Sequence, residues 1–213
     1  MKHSLLLSTA LFFALFAGSA QAATLISINS GTGLYNTGLD VLGSVLADNA
    51  VDPHYVGAGS APEFAATSAG GFPIGPWLGD NSTSAWISLS TGTFEPGGPI
   101  DNITTFVSPI AGTLSITGQW ATDDGGTSIV LNGVTTTVAD GGFGGFRGFT
   151  ITQAISAGVK TLDFINVNGG GPGGVRVEFL SASVTSAIPE PSSLVLAGLG
   201  VVGLAVAARR RKS

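Results

Sequence analysis

The chain has 213 residues, a formal net charge of −5, 10% charged side chains, 33 glycines and no cysteine. Without cysteine there are no disulfides, no thiolate chemistry and no Cys-ligated zinc or iron–sulfur site, so stability rests on burial. Two histidines, His3 and His54, are too few for a multi-histidine zinc site and offer little to a Ser-His-Asp triad.

At the N-terminus, Lys2 and His3 precede an apolar run over residues 5–16, and Ala20-Gln21-Ala22 follows. A basic start, a short apolar helix and an A-x-A site describe a secretory signal peptide, with cleavage expected after Ala22. Residues 1–22 are thus read as a signal helix handled by the Sec machinery. The exported part, to about residue 187, carries twelve acidic residues against three basic ones, Arg147, Lys160 and Arg176. That balance excludes nucleic acid as a partner, because phosphate binding needs clustered Lys and Arg.

Gly, Thr, Ser, Val and Ile dominate the exported region, which favours strands over helices. Leu25, Ile26 and Ile28 begin the apolar alternation, and residues 31–52 read as a long connection with a helical turn near 42–47. Strands follow around Phe64, at Trp86-Ile87 and over 103–107. Leu114, Ile116 and Trp120 then fall on one face at period two, with Thr113, Ser115, Thr117 and Gln119 on the other, as a half-buried strand requires. Asn132-Gly133 between two apolar runs predicts a two-residue hairpin. Segments 149–153, 162–167 and 175–184 complete about ten short strands; in the last, Arg176 and Glu178 are expected to face outward as a surface ion pair. The expected fold of residues 23–185 is all-β, an antiparallel jelly-roll-type β-sandwich.

Residues 186–213 differ in kind. Pro189-Glu190-Pro191 precedes an apolar run over 194–208, then Arg209-Arg210-Arg211-Lys212 and Ser213. At 1.5 Å per residue the run spans about 22 Å, short of the ~30 Å hydrocarbon layer, and Gly198, Gly200 and Gly203 each weaken it by about 1 kcal/mol. The expectation is a single short transmembrane helix stopped by its basic tail, behind an extended Pro-Glu-Pro that an enzyme can read.

This tail resembles the PEP-CTERM sorting signal. The resemblance implies export, an inner-membrane intermediate, processing by an exosortase and delivery to the surface or exopolysaccharide matrix of a Gram-negative, biofilm-forming bacterium. Its carriers are Pro189, Glu190, Pro191, Arg209, Arg210 and Arg211. Further motifs, Val51-Asp52-Pro53-His54-Tyr55, Trp77-Leu78, Ser84-Ala85-Trp86-Ile87, Gly118-Gln119-Trp120-Ala121-Thr122-Asp123, Leu131-Asn132-Gly133-Val134 and Gly174-Val175-Arg176-Val177-Glu178, resemble the recurring ectodomain of PEP-CTERM proteins. That ectodomain is similar to galactose-binding-like and carbohydrate-binding jelly rolls.

Three features carry candidate chemistry. Trp77 lies in a Gly-Pro loop beside Asp80 and Asn81, an expected exposed platform for a sugar ring, whereas Trp86 and Trp120 sit in alternating strands and read as core. Asp123-Asp124-Gly125-Gly126 offers adjacent carboxylates to Ca²⁺, although an Asp-Gly turn explains the same residues without metal; no other cofactor is expected. The Gly- and Phe-rich segment 141–149 reads as a loop closing one end of the sandwich, with an adhesive loop as the sharper alternative. His54 has no identifiable catalytic partner. The functional expectation is a non-enzymatic envelope or matrix protein acting in adhesion or glycan association. The alternative is a polysaccharide hydrolase or lyase drawing a carboxylate pair from Asp80, Asp123, Asp124 and Glu178, at about 5–9.5 Å across a groove.

Overall fold

A computed structural model describes residues 22–73, 75–136, 142–186 and 191–210. The expected signal helix, Ala20, Pro189, Glu190 and Arg211 lie outside the described residues.

Ala23–Thr185 form one compact unit. Its strands among the described residues are β1 (Ala23–Leu25), β2 (Val51–Val56), β3 (Pro62–Ala66), β4 (Trp86–Ser88), β5 (Phe94–Glu95), β6 (Gly98–Ser108) and β7 (Gly112–Asp123). After them come β8 (Gly125–Leu131), β9 (Val134–Thr136), β10 (Arg147–Ile155), β11 (Gly158–Asn168), β12 (Gly171–Pro172) and β13 (Gly174–Thr185). Eleven of them hydrogen-bond in the order β10-β7-β13-β4-β3-β2-β6-β11-β8-β9, with β1 on β13, and β5 and β12 form a separate ribbon. All of these strand pairings are antiparallel.

The long sheet folds onto itself as a β-sandwich. Strands far apart in the hydrogen-bonding order meet through side chains: Phe164 of β11 lies 5.9 Å from Trp120 of β7, 5.7 Å from Phe149 of β10 and 6.0 Å from Phe179 of β13, between ring centroids. Leu114, Ile116 and Trp120 are fully buried on one face of β7, as their period-two spacing requires. Gly118, on the same face, leaves room for Phe149; a Cβ there would stand 2.4 Å from Phe149 Cζ. The predicted hairpin is present, with Asn132 at φ 48° and Gly133 at φ 80° joining β8 to β9, the positive-φ pair that a tight two-residue turn demands.

Two local expectations fail. Residues 42–47 form no helical turn but an irregular stretch in which Val45 bridges Leu39, because the Asp40 carboxylate captures the Leu42 and Ser44 amides at 2.8 and 2.9 Å, a local bond that competes with helix. The C-terminal helix, α1, runs Pro191–Arg210, wider than the expected 194–208. Pro191, the first described residue of this segment, is already helical and so is not part of an extended strand before the helix. Among the described residues no helix is long and apolar enough to cross a membrane, which leaves the transmembrane expectation for 194–208 unsupported.

Candidate functional site

Residues Gly174–Phe179 of β13 are buried on both faces. One face, with Val175, Val177 and Phe179, enters the core; the other, with Arg176 and Glu178, is covered by segment 77–84. Arg176 has no exposed surface. Its Nε donates to Ser84 Oγ at 2.7 Å and its Nη1 to the Gly79 carbonyl at 2.7 Å, while its guanidinium carbon stands 5.4 Å from the Phe146 ring centroid. Glu178 Oε1 accepts from Asn81 Nδ2, Thr83 Oγ1 and Ser84 Oγ at 2.9, 3.0 and 2.7 Å, and Oε2 accepts from Gln119 Nε2 at 2.8 Å. The expected surface pair is therefore a buried one, with Arg176 Nη2 3.8 Å from Glu178 Oε1. Period-two alternation correctly separates the two faces of β13 but does not reveal that a loop covers the polar one.

Electrostatics follow the wiring. Burial pushes the Arg176 guanidinium below its usual value, against the attraction of Glu178 and Asp80. Burial alone would raise Glu178, but the bonds from Asn81, Ser84, Gln119 and Thr83 outweigh it and hold the carboxyl below the ordinary glutamate value.

Trp77 corrects the expectation of an exposed platform. It is 8% exposed and sits 4.6 Å from Trp86 and 5.8 Å from Phe72, centroid to centroid. Leu78, Phe143 and Phe146 pack around the same cluster, and Leu78 N donates to the Phe143 carbonyl at 2.7 Å. The Gly- and Phe-rich segment, where described, thus closes over the tryptophans. An apolar ring of this size gains more from burial than from standing in water.

The expected trio of Trp77, Asp80 and Asn81 is divided among separate partners. Trp77 packs on Trp86 and Phe72, Asp80 Oδ2 accepts from Ser68 N and Oγ at 2.9 and 2.6 Å, and Asn81 holds Glu178. Asp123 and Asp124 do act as a pair. Burial first, then the neighbouring Asp124 carboxyl, raise Asp123 from 3.8 to about 6, against the lowering influence of Trp77. Asp124 Oδ2 accepts from Gly169 N at 2.6 Å. Among the described residues no group of three His, Cys, Asp or Glu side chains is arranged to hold a metal ion, whereas a Ca²⁺ shell takes six to eight oxygens.

A second polar cluster had no signal in the sequence. Glu63 of β3 has no exposed surface, and neither of its carboxyl oxygens has a hydrogen-bond partner among the described residues. Burial, followed by the charges of Asp52, Glu95 and Asp163, drives it well above the ordinary glutamate value. Asp52 is better served: Oδ2 accepts from Gly38 N at 2.7 Å and Oδ1 from His54 N at 2.8 Å, yet burial still lifts it to about 6. Glu63 shares a strand face with buried Ala65, so the inward position was readable once β3 was placed; its chemistry argued for the opposite face.

Comparison with known proteins adds the following. Residues 187–212 match the family described as the PEP-CTERM protein-sorting motif. No curated protein matches the chain. Among solved structures, the chain is similar to a family 35 carbohydrate-binding module from Clostridium thermocellum, with TM-score 0.38 and 11% identity over 62% of this chain and 92% of that one. It is also similar to CBM35 from Paenibacillus barcinonensis, with TM-score 0.36 and 16% identity over 68% and 96%, and to CBM35 from Cellvibrio japonicus Abf62, with TM-score 0.36 and 14% identity over 62% and 97%. The sandwich of residues 23–185 is followed in this chain by a PEP-CTERM protein-sorting motif.

Proposed function

We propose that this chain is an exported protein, sorted by an exosortase through its C-terminal motif to the cell surface or exopolysaccharide matrix, where its β-sandwich acts non-enzymatically in glycan association and adhesion. The observation that carries the reading is the sorting motif at 187–212, with which the secretory signal expected over residues 1–22 accords. In the intermediate, residues 194–208 lie in the membrane with Arg209 and Arg210 on its cytoplasmic side.

The glycan half draws on surface chemistry. Across β10, β7 and β13, Thr150 pairs with Thr117 and Thr117 with Ser181, and Thr152 pairs with Ser115 and Ser115 with Ser183. These side chains lie opposite the buried Ile116, Ile151 and Ala182, so they form an outward, uncharged row of hydroxyls suited to polyhydroxyl chains. The hydrolase alternative finds little support. Asp124 Oδ2 is engaged by the Gly169 amide, Glu178 is saturated by four donors, and Asp80 is engaged by Ser68.

The test is sorting itself. Glu190→Ala, or deletion of residues 194–213, is expected to leave the chain at unprocessed mass and to reduce its surface delivery in an exosortase-containing host. Unchanged mass and location for both variants overturn the sorting reading. The glycan reading is tested separately, by retention of the protein on exopolysaccharide from that host.

A further inference from the structure

Beside β2 the chain makes a hollow unrelated to the tryptophan cluster or to the buried ion pair. A cavity of about 250 Å³ opens between loop 31–35 and the outer face of β2, β6 and β11, lined by Thr32, Tyr35, His54, Thr105, Val107 and Val159 among others. Register places Thr105 against Thr161 and Val107 against Val159, on the face opposite the buried Tyr55, Phe106 and Leu162. The volume is below the ~300–1,000 Å³ of pockets that enclose drug-sized ligands, and suits a single ring.

The walls are fixed before any ligand arrives. The imidazole of His54 stacks on the Tyr35 ring with centroids 3.5 Å apart and planes 10° from parallel. The His54 amide donates to Asp52 Oδ1 at 2.8 Å, and its Nε2 lies 3.2 Å from the Asp40 carbonyl oxygen. A carbonyl only accepts, so Nε2 carries the proton and Nδ1 is left as an acceptor; no bond to Nδ1 is present among the described residues. Burial lowers the imidazole pKa, against the pull of Asp40. The loop is pinned as well: Val107 N donates to the Thr32 carbonyl at 2.9 Å, and the buried Tyr55 hydroxyl donates to the Tyr35 carbonyl at 2.9 Å.

The lining has no charged side chain. Its polar groups are hydroxyls and one imidazole acceptor, and its apolar ones include the exposed methyl groups of Val107 and Val159. An anion would find no cation there and a cation no carboxylate. A pyranose matches it, with C–H faces for the valines and equatorial hydroxyls for Thr32, Thr105 and the imidazole.

We propose that this hollow binds one neutral sugar ring of a polysaccharide, with His54 Nδ1 accepting a ring hydroxyl, Thr32 and Thr105 exchanging hydrogen bonds with its neighbours, and Val107 and Val159 meeting an apolar face. This site deepens the glycan reading above and rests on it. The row of hydroxyls on the β10-β7-β13 face is a separate surface.

The chain's two histidines make the test direct. With ¹⁵N-histidine labelling, at most two imidazoles are seen, and His54 is identified by its loss in His54→Phe. Titration of the purified protein with glucose, galactose, mannose and N-acetylglucosamine, alongside glucuronate as the charged comparison, is expected to move the His54 Nδ1 resonance with at least one neutral sugar and less with glucuronate. His54→Phe keeps an aromatic ring on Tyr35 and removes the acceptor; it is expected to weaken retention on exopolysaccharide by about two- to tenfold, the value of one hydrogen bond. Val159→Glu, at an exposed position, puts a carboxylate against the sugar's apolar face and is expected to weaken it at least about tenfold, with the melting temperature of both variants reporting that the fold is kept. If exopolysaccharide is retained while no neutral sugar moves His54 and both variants bind normally, the site is wrong and the glycan reading stands. If the protein retains no exopolysaccharide and no sugar moves His54, both fail. A larger shift with glucuronate than with any neutral sugar overturns the ligand class.

Discussion

Two buried polar regions of the same sandwich handle charge in opposite ways. Around Arg176 and Glu178, each carboxylate oxygen is met by a donor and the guanidinium is bonded by Ser84 and Gly79. Around Glu63, two oxygens are buried with no partner among the described residues, beside other acids. The first region keeps its charges by wiring them; the second gives its charge up by holding a proton. The wired region also fastens segment 77–84 over β13, so its bonds shape the loop end as well as stabilising it.

Breaking the wired region produces the largest expected effect. Arg176→Ala removes the cation paired with Glu178, leaves a buried carboxylate and frees the Gly79 carbonyl. Removing one partner of a buried ion pair costs about 3–5 kcal/mol, a large share of the stability of a domain this size. Urea denaturation is expected to show the unfolding free energy falling by that amount, through a lower midpoint at unchanged slope. A loss below about 1 kcal/mol would mean that the pair behaves as a surface pair does.

The same operation in the other region has the opposite sign. Glu63→Met replaces an unpartnered carboxyl by an apolar side chain of similar length, which is expected to stabilise the protein by about 1–4 kcal/mol at pH 7. The gain should shrink at pH 5. The folded state holds the Glu63 proton while the unfolded chain releases it above about 4.3, so the penalty that the substitution removes grows with pH. Destabilisation by Glu63→Met at pH 7, in the same urea titration, would show that Glu63 has a partner in solution.

How far these regions were legible in the sequence follows from the range of the forces involved. Strand positions such as Leu114, Ile116 and Trp120, and the Asn132-Gly133 turn, are set by local alternation and backbone conformation, and both appear in the structure where the sequence places them. The burial of Arg176, Glu178 and Trp77 depends on segment 77–84 and on Phe143 and Phe146 folding over them, contacts separated by as many as 97 residues. No local pattern encodes such a covering. Their polarity, or a neighbouring Gly-Pro, instead suggested solvent. Glu63 was missed for a related reason: a carboxyl at an inward position of a short strand contradicts the pattern by which strands are recognised. The tail was legible because its order of parts is itself the signal, although Pro191 is already helical rather than extended.

The smallest of the three effects tests the comparison without any substitution. Asp52 and Asp123 each rise from 3.8 to about 6 on folding, and both are less than a tenth exposed. Between these two values the folded protein holds protons that the unfolded chain has released. Their stabilising contribution is therefore complete below pH 3.8 and lost as pH rises through about 6. A pKa difference of one between the folded and unfolded states is worth about 1.4 kcal/mol, so moving from pH 7 to pH 5 is expected to add about 2–3 kcal/mol from the two together. Glu178 works the other way: held below its ordinary value, it supports the fold above about pH 4.3 and withdraws that support as pH falls through its folded value. The wired region thus fails in acid, and the proton-holding region fails toward alkali. Urea midpoints measured from pH 8 to pH 3 are expected to rise as pH falls to about 4 and to turn down again at the acid end. Asp52→Asn should remove about 1.4 kcal/mol of the rise between pH 7 and 5, the remainder coming from Asp123, Glu63 and the other carboxyls raised by burial. Stability that is flat or falling over that interval would mean that these carboxyls are solvated in solution, and that the two regions do not differ in the way the structure draws them.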